Sequence, residues 1–299
     1  MKIYIEYNIT KKAHGGGNQF LRSLKKEFVN LGLYTNDVTK CDIVLFNSHH
    51  NIERLYNLKK KYPNKMYIHR IDGPMRLYNQ MNDTRDDIVY NLNQKIATAT
   101  VFQSLWSMKK NFELGMRDNK PRAVIQNSVD SDIFNQKYEK EPNDKIRLIS
   151  TSFSSNYRKG HKYYQFLDSH LNFDKYEYVF VGNSPVKYKN IKQAGCLDSY
   201  GVAERLRKSD TYITGSENDP CSNSLMEAAA CGLKILALNS GGHPEILKNE
   251  KCLFDSEEEL LKKLVNHDSL TRSCEIASME EVINKYLYFL KKIIESGRN

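Results

Sequence analysis

Ser216-Glu217-Asn218-Asp219-Pro220-Cys221-Ser222-Asn223-Ser224-Leu225-Met226-Glu227-Ala228-Ala229-Ala230-Cys231-Gly232 places one acid, Asp219, in a Pro/Ser/Asn loop and a second, Glu227, eight positions later on a small-residue run. Asn223 and Ser224 are residue types that cap helix N-termini, and Gly232 is a type that stops helices. The spacing predicts a helix over 223–231. Its positive end would carry the amides of Cys221, Ser222, Asn223, Ser224 and Leu225, a ready anion site. One carboxylate stands before those amides and the other just after them. Carboxylates beside an anion site rarely bind the anion; they suit hydroxyl-rich groups attached to it. Hydroxyls, a diphosphate and more hydroxyls make up a nucleotide sugar.

Outward from that segment, short β-rich runs alternate with stretches of helical period, the pattern of an α/β chain with parallel sheets. First-half strands are expected at 2–7, 42–47, 65–71, 98–102 and 122–126, with helices at 18–32, 51–62, 84–96 and 104–115. The second half restarts with strands at 146–151, 176–181, 211–214 and 233–238. Its helices are expected near 160–170, 200–208, 223–231 and 256–265. The polar, Pro-containing run 135–144 reads as a linker. We therefore expect two doubly wound Rossmann-like domains, 1–138 and 139–277, facing a cleft with strand C-terminal ends toward it. A last helix over 278–296 would bury Met279, Val282, Ile283, Tyr286, Phe289, Leu290 and Ile293 on one side.

Of the 299 residues, 40% are hydrophobic and 27% charged, a globular composition that argues against disorder. No run approaches the ~18 apolar residues of a membrane span, and the first residues read as a strand, not a signal peptide. Six cysteines lie scattered without paired metal spacing, which fits reduced thiols and a cytoplasmic location. Residues 1–140 carry 23 Lys+Arg against 14 Asp+Glu, and the remainder 22 against 22, so the whole formal charge of +9 lies in the first half. That half is either a solvated basic surface or a face for something acidic: an anionic or lipid-linked acceptor, or a membrane touched peripherally. Lys59-Lys60-Lys61 and Lys109-Lys110 lack the interleaved aromatics of a nucleic-acid site, so no nucleic-acid partner is expected.

The 216–232 segment resembles the donor-site motif of the retaining GT-B glycosyltransferases of family four: an acid, seven residues, Glu, then a small-residue run ending in Cys-Gly. Asp219 stands where the family has Glu, keeping the charge but shortening the reach by one methylene. The resemblance continues through Leu233-Lys234-Ile235-Leu236-Ala237 and Gly241-Gly242-His243-Pro244-Glu245-Ile246. It extends to Val124-Ile125-Gln126-Asn127-Ser128-Val129-Asp130, where Ser128 replaces the usual Gly. The resemblance implies a GT-B architecture, a last helix that crosses back to the first domain, and a nucleotide diphosphate sugar as donor. The acceptor would be a glycan, a glycolipid or another sugar. It also implies retention of anomeric configuration, with the leaving phosphate taking the acceptor proton.

Glycosyl transfer requires the leaving diphosphate to be stabilised and the sugar held. A metal-chelating Asp-x-Asp route is not expected anywhere in the chain, so no metal and no other cofactor is expected, and protein cations must hold the diphosphate. Arg158-Lys159-Gly160, after the 146–151 strand, resemble the family's phosphate loop, with Arg158 in place of an upstream Arg. The loop His14-Gly15-Gly16-Gly17-Asn18-Gln19-Phe20 lets backbone approach a ligand, and the resemblance aims Gly16 and Gly17 at the donor phosphates. Gly182 and Leu197 sit in two turns that the resemblance places beside the nucleotide base. In Met66-Tyr67-Ile68-His69-Arg70-Ile71-Asp72-Gly73-Pro74 a charged trio ends a strand. Asp72 is the candidate polar contact near the reacting sugar or acceptor, with Arg70 or His69 as helpers; capping of the next turn by Asp72 is the structural alternative. The expected roles are then Asp219 on a sugar hydroxyl, Glu227 on ribose hydroxyls, and Lys159 and Arg158 on the diphosphate. A nucleotide-sugar epimerase and a non-catalytic nucleotide-sugar-binding protein on the same fold are the competing readings.

Overall fold

The strand after the decisive helix shows how the second half is built. Leu233, Ile235 and Ala237 enter one buried cluster, while Leu236 and Leu238 enter another. Period-two alternation with both faces apolar marks a parallel sheet covered on both sides. The computed structural model of the protein describes residues 1–10, 16–79, 81–117, 119–137, 142–270 and 275–296. Contacts divide the chain into two compact units: Met1–Ile9, Phe20–Asn127 and Ser278–Asn299 form the first, Thr10–Gln19 and Ser128–Ala277 the second.

In the first unit β1 (Ile3–Glu6), β2 (Ile43–Asn47), β3 (Met66–Ile71), β4 (Ala99–Phe102) and β5 (Arg122–Val124) lie parallel in chain order. Between them run α1 (Gly16–Asn30), α2 (Ile52–Lys61), α3 (Met75–Tyr78), α4 (Arg85–Ile96) and α5 (Leu105–Glu113). Ser104 caps α5 as its type predicts, its hydroxyl accepting the Ser107 amide at 3.0 Å.

The second unit contains β6 (Ile146–Ser152), α6 (His161–His170), β7 (Tyr176–Gly182), β8 (Lys192–Gln193), α7 (Ser199–Arg207) and β9 (Thr211–Thr214). After these come α8 (Asn223–Ala230), β10 (Lys234–Leu238), α9 (His243–Leu247), β11 (Leu253–Phe254) and α10 (Glu257–Val265). The sheet is parallel, in the order β11-β10-β9-β6-β7-β8. The chain leaves β6 in one direction through β7 and β8, then returns to β6's other side as β9. Strand order therefore reverses between β6 and β9, and such a switch point opens a crevice at the strand C-terminal ends.

The last helix, α11 (Met279–Ser296), buries all seven residues named from the sequence. Its Tyr286 ring lies 6.5 Å from both Phe20 and Phe28, and Ser278–Asn299 belong to the first unit. The expected boundary at 138/139 moves to 127/128, because Val129, Ile133 and Phe134 are buried in the second unit's core. Four of the five described cysteines are buried and all five are free thiols. Among the described residues no helix is long and apolar enough to cross a membrane.

Candidate active site

The two strands flanking the switch point each deliver one charge. After β6 the chain turns through Ser154–Lys159, where Asn156 Oδ1 accepts the Arg158 amide at 3.0 Å and the Ser154 hydroxyl accepts the Asn156 amide at 3.2 Å. After β9, Glu217 N–H donates to Arg158 O at 2.9 Å, and Lys159 and Ser216 form an antiparallel bridge. The two loops are thus zipped together. Lys159 Nζ lies 2.8 Å from Asp219 Oδ2, both side chains being mostly buried. Burial pushes the Asp219 carboxyl up, yet the Lys159 charge, the Lys159 hydrogen bond and the Cys221 amide outweigh it and hold its pKa below the usual value. Asp219 is therefore ionised at neutral pH.

The helix after Asp219 begins slightly differently from expectation. Ser222, not Asn223 or Ser224, is the N-cap, its hydroxyl accepting from Leu225 N–H at 3.4 Å. Two of the five amides expected to bind a ligand are therefore committed within the protein. Leu225 donates to Ser222, and Cys221 donates to Asp219 Oδ1 at 3.2 Å. Helix geometry leaves the other first-turn amides without acceptors inside the helix. Gly232 ends the segment with φ +80°, as expected of a helix stop.

Glu227 sits on α8, partly accessible by surface area but with its carboxyl deep enough in protein that burial raises its pKa to about 8. No hydrogen bond or ion pair to that carboxyl is formed among the described residues. Desolvation alone raises its pKa, since burial disfavours the charged form.

Gly16 starts α1 against α8: a Cβ there would lie 2.3 Å from Asn223 Nδ2, whereas one at Gly17 would meet nothing within 4 Å. Both glycines are grouped with the second unit, and His14 and Gly15 lie outside the described residues. Gly182 closes β7 with φ +123°, and its amide donates to Gly195 O at 2.7 Å. Leu197, two residues beyond Gly195, packs partly buried on the core under α7 and α8. The chain's one Asp-x-Asp triplet, Asp130-Ser131-Asp132, lies outside these loops. Asp130 Oδ1 accepts the Asp132 amide at 3.1 Å, a local turn.

In the first unit, β3 ends in a polar network. Arg70 is wholly buried; its guanidinium donates to Asn47 Oδ1 at 2.5 Å, Asn127 Oδ1 at 2.6 Å and Asp72 Oδ1 at 3.1 Å. Asp72 also accepts from the Ser48 hydroxyl at 2.8 Å, from Asn47 Nδ2 at 3.2 Å and from the Gln103 amide. The carboxylate named from the sequence is thus engaged by four donors. Asn127, the last residue of the first unit before the 127/128 boundary, ties β3 to the segment after β5 by bonding Arg70 and, at 3.1 Å, Gln103. His69 stacks on Phe46 at 4.3 Å, and burial outweighs its Ser48 hydrogen bond to hold its pKa near about 3. A neutral, packed ring of this kind is no base. Asp72→Ala is expected to cost about 3–5 kcal/mol, since it strips Arg70 of its counter-charge in a dry site. A lower urea midpoint at unchanged m-value checks this; an unmoved midpoint would show that the network holds nothing in place.

Residues 130–272 match the family model described as Glycosyl transferases group 1. No curated protein matches the chain in sequence. Among solved structures, the fold is similar to sucrose-phosphate synthase from Thermosynechococcus elongatus, with TM-score 0.76, 11% identity and 99% of each chain covered. It is also similar to HepE from Anabaena in complex with UDP-glucose, with TM-score 0.69, 14% identity and 99% of each chain covered. It is also similar to trehalose-6-phosphate from E. coli bound with UDP-2-fluoro glucose, with TM-score 0.59 at 12% identity, over 93% of this chain and 74% of that one.

Proposed function

We propose that this GT-B glycosyltransferase moves a hexose from a nucleotide diphosphate sugar to an acceptor hydroxyl, without a metal and with retention of anomeric configuration. The observation that carries the reading is the 2.8 Å Lys159–Asp219 pair, delivered by the loops after β6 and β9 at the point where strand order reverses. The similar structures in complex with UDP-glucose and UDP-2-fluoro glucose lend support to a nucleotide-sugar donor.

An ammonium has three N–H donors. Lys159 can therefore hold Asp219 and still meet a phosphate oxygen, joined there by Arg158 and the first turn of α8. Asp219, ionised, accepts from a sugar hydroxyl, and Glu227 accepts from the ribose. The acceptor oxygen bonds to the anomeric carbon as the bond from that carbon to the phosphate oxygen breaks. The acceptor proton passes to the departing diphosphate, whose growing charge Lys159 and Arg158 offset. Acceptors of glycan, glycolipid or simple-sugar type fit this scheme, and the basic first half suits an anionic or lipid-linked one. Thermal-shift screening against GDP-, UDP-, ADP- and CMP-sugars tests the donor, and mass spectrometry of products formed with a sugar acceptor tests transfer. Binding without transfer or hydrolysis would leave a binding protein; no binding at all would remove the reading.

Glu227 gives the donor affinity a pH signature. Free, the carboxyl is mostly protonated below about 8. Bound to ribose hydroxyls it must be ionised, so binding releases a proton. Affinity for the nucleoside diphosphate should climb as pH rises toward about 8 and level off above it, by at most ~tenfold per pH unit. Calorimetry in buffers of different ionisation enthalpy reads the proton directly. Glu227→Gln should abolish the slope; a slope that persists in that variant refutes the assignment.

A further inference from the structure

His243 is wholly buried and fixed from one side, with Nδ1 2.8 Å from Leu238 O. A carbonyl only accepts, so Nδ1 carries the hydrogen and Nε2 presents a lone pair. Burial, reinforced by the Lys159 charge, outweighs Asp219 and the Leu238 bond and keeps the ring below the usual histidine range, hence neutral. Among the described residues Nε2 has no hydrogen-bond partner. Native proteins leave few buried polar atoms in this state, each at a cost of roughly 1–3 kcal/mol.

The charged side chains acting on the ring are Asp219 and Lys159. Its turn is tied to theirs: Gly242 N–H donates to Asp219 O at 2.8 Å, and Asn218 N–H to the Ser240 hydroxyl at 3.0 Å. Ser216 Oγ, another of the several buried side-chain atoms without a partner among the described residues, belongs to the residue whose backbone bridges Lys159. Two unsatisfied polar atoms thus lie on the loops that hold one ion pair. A lone pair cannot meet a phosphate, which offers only acceptors at neutral pH. It needs a donor, and the donor that a nucleotide sugar brings beside Asp219 is a sugar hydroxyl.

We infer that His243 Nε2 accepts a hydrogen bond from one hydroxyl of the transferred sugar, so that His243 helps decide which sugar the enzyme takes. The inference rests on the reading of these loops as the nucleotide-sugar site. Asp219 supports it by committing one oxygen to Lys159 and the other to Cys221 N–H, which leaves room for a second acceptor at the sugar.

The test separates the two ring nitrogens. An asparagine amide reaches the Nδ1 position and can still donate to Leu238 O; a glutamine oxygen reaches the Nε2 position. Wild type, His243→Asn and His243→Gln are titrated with three probes: the nucleotide sugar giving the largest thermal shift, its nucleoside diphosphate, and its monodeoxy-sugar analogues. His243→Asn should bind the nucleoside diphosphate within about twofold of wild type and the nucleotide sugar about tenfold more weakly, with partial recovery in His243→Gln. In wild type one monodeoxy analogue should show the same loss, and in His243→Asn that analogue and its parent should bind alike. Undiminished sugar binding by His243→Asn, or equal losses for both ligands, overturns the inference. If the variants do not fold, the wild-type chain labelled with ¹⁵N-histidine decides. A Nε2 resonance must move with the nucleotide sugar and stay still with the nucleoside diphosphate, and identical spectra overturn the proposal. Failure of wild type to bind any nucleotide sugar removes the site reading itself, a result distinct from either.

Discussion

Lys159→Ala is expected to slow the chemical step by about 10²–10³-fold, the cost of losing one preorganised donor to a departing charge. The same change leaves the Asp219 carboxylate mostly buried without its ammonium, so the melting temperature should fall as well. The two effects separate in a double variant. Lys159→Ala with Asp219→Asn removes the orphaned charge and should regain much of the lost stability while turnover stays low. Steady-state rates and thermal melts on wild type, Lys159→Ala, Asp219→Asn and the double variant complete the cycle. Near-wild-type turnover in Lys159→Ala would end the assignment of that lysine to the diphosphate.

Gly182→Ala is expected to be among the most damaging single-methyl additions in the chain. The residue holds φ +123°, where side chains are strained, and a Cβ would lie 1.8 Å from Ser152 O. That carbonyl accepts Asn183 N–H at 3.0 Å, so the backbone after β7 cannot move away without breaking a bond to β6. Strain and forced displacement together should cost roughly 3 kcal/mol. For a domain of this size that is a melting shift of about 6–12 °C. Because Ser152 opens the loop leading to Lys159, donor affinity should drop with stability. A melt within about a degree of wild type would mean that the turn relaxes freely, against the stiffness expected of a packed sheet edge.

What the sequence disclosed and what it withheld follow from range. Strands such as Leu233–Leu238 and the apolar side of α11 are periodic, and period is local, so their faces were readable to the residue. Asp219 and Glu227 fall on one loop and one helix as their local spacing predicts. Nothing local announces that Lys159 would pair with a carboxylate sixty positions away; only the reversal of strand order between β6 and β9 brings the two together. The N-cap was misplaced by one residue because Ser222, Asn223 and Ser224 are all cap-forming types, and the pairing of Ser222 Oγ with Leu225 N–H decides among them. Arg70 read as a charge at a strand end and is wholly buried, since Asp72 two residues on neutralises it and Asn47 and Asn127 come from two other segments to satisfy it. His243 gave no signal at all: a histidine after two glycines is ordinary until its unpartnered nitrogen is seen.

The grouping of α11 with the first unit has a consequence for biosynthesis. A ribosome delivers Phe20 and Phe28 early, but the Tyr286 ring that packs on both emerges only after the whole of Ser128–Ala277. The half translated second can finish folding while the half translated first still lacks a wall. During that interval Phe20 and Phe28 lack the Tyr286 ring that packs beside both in the folded protein.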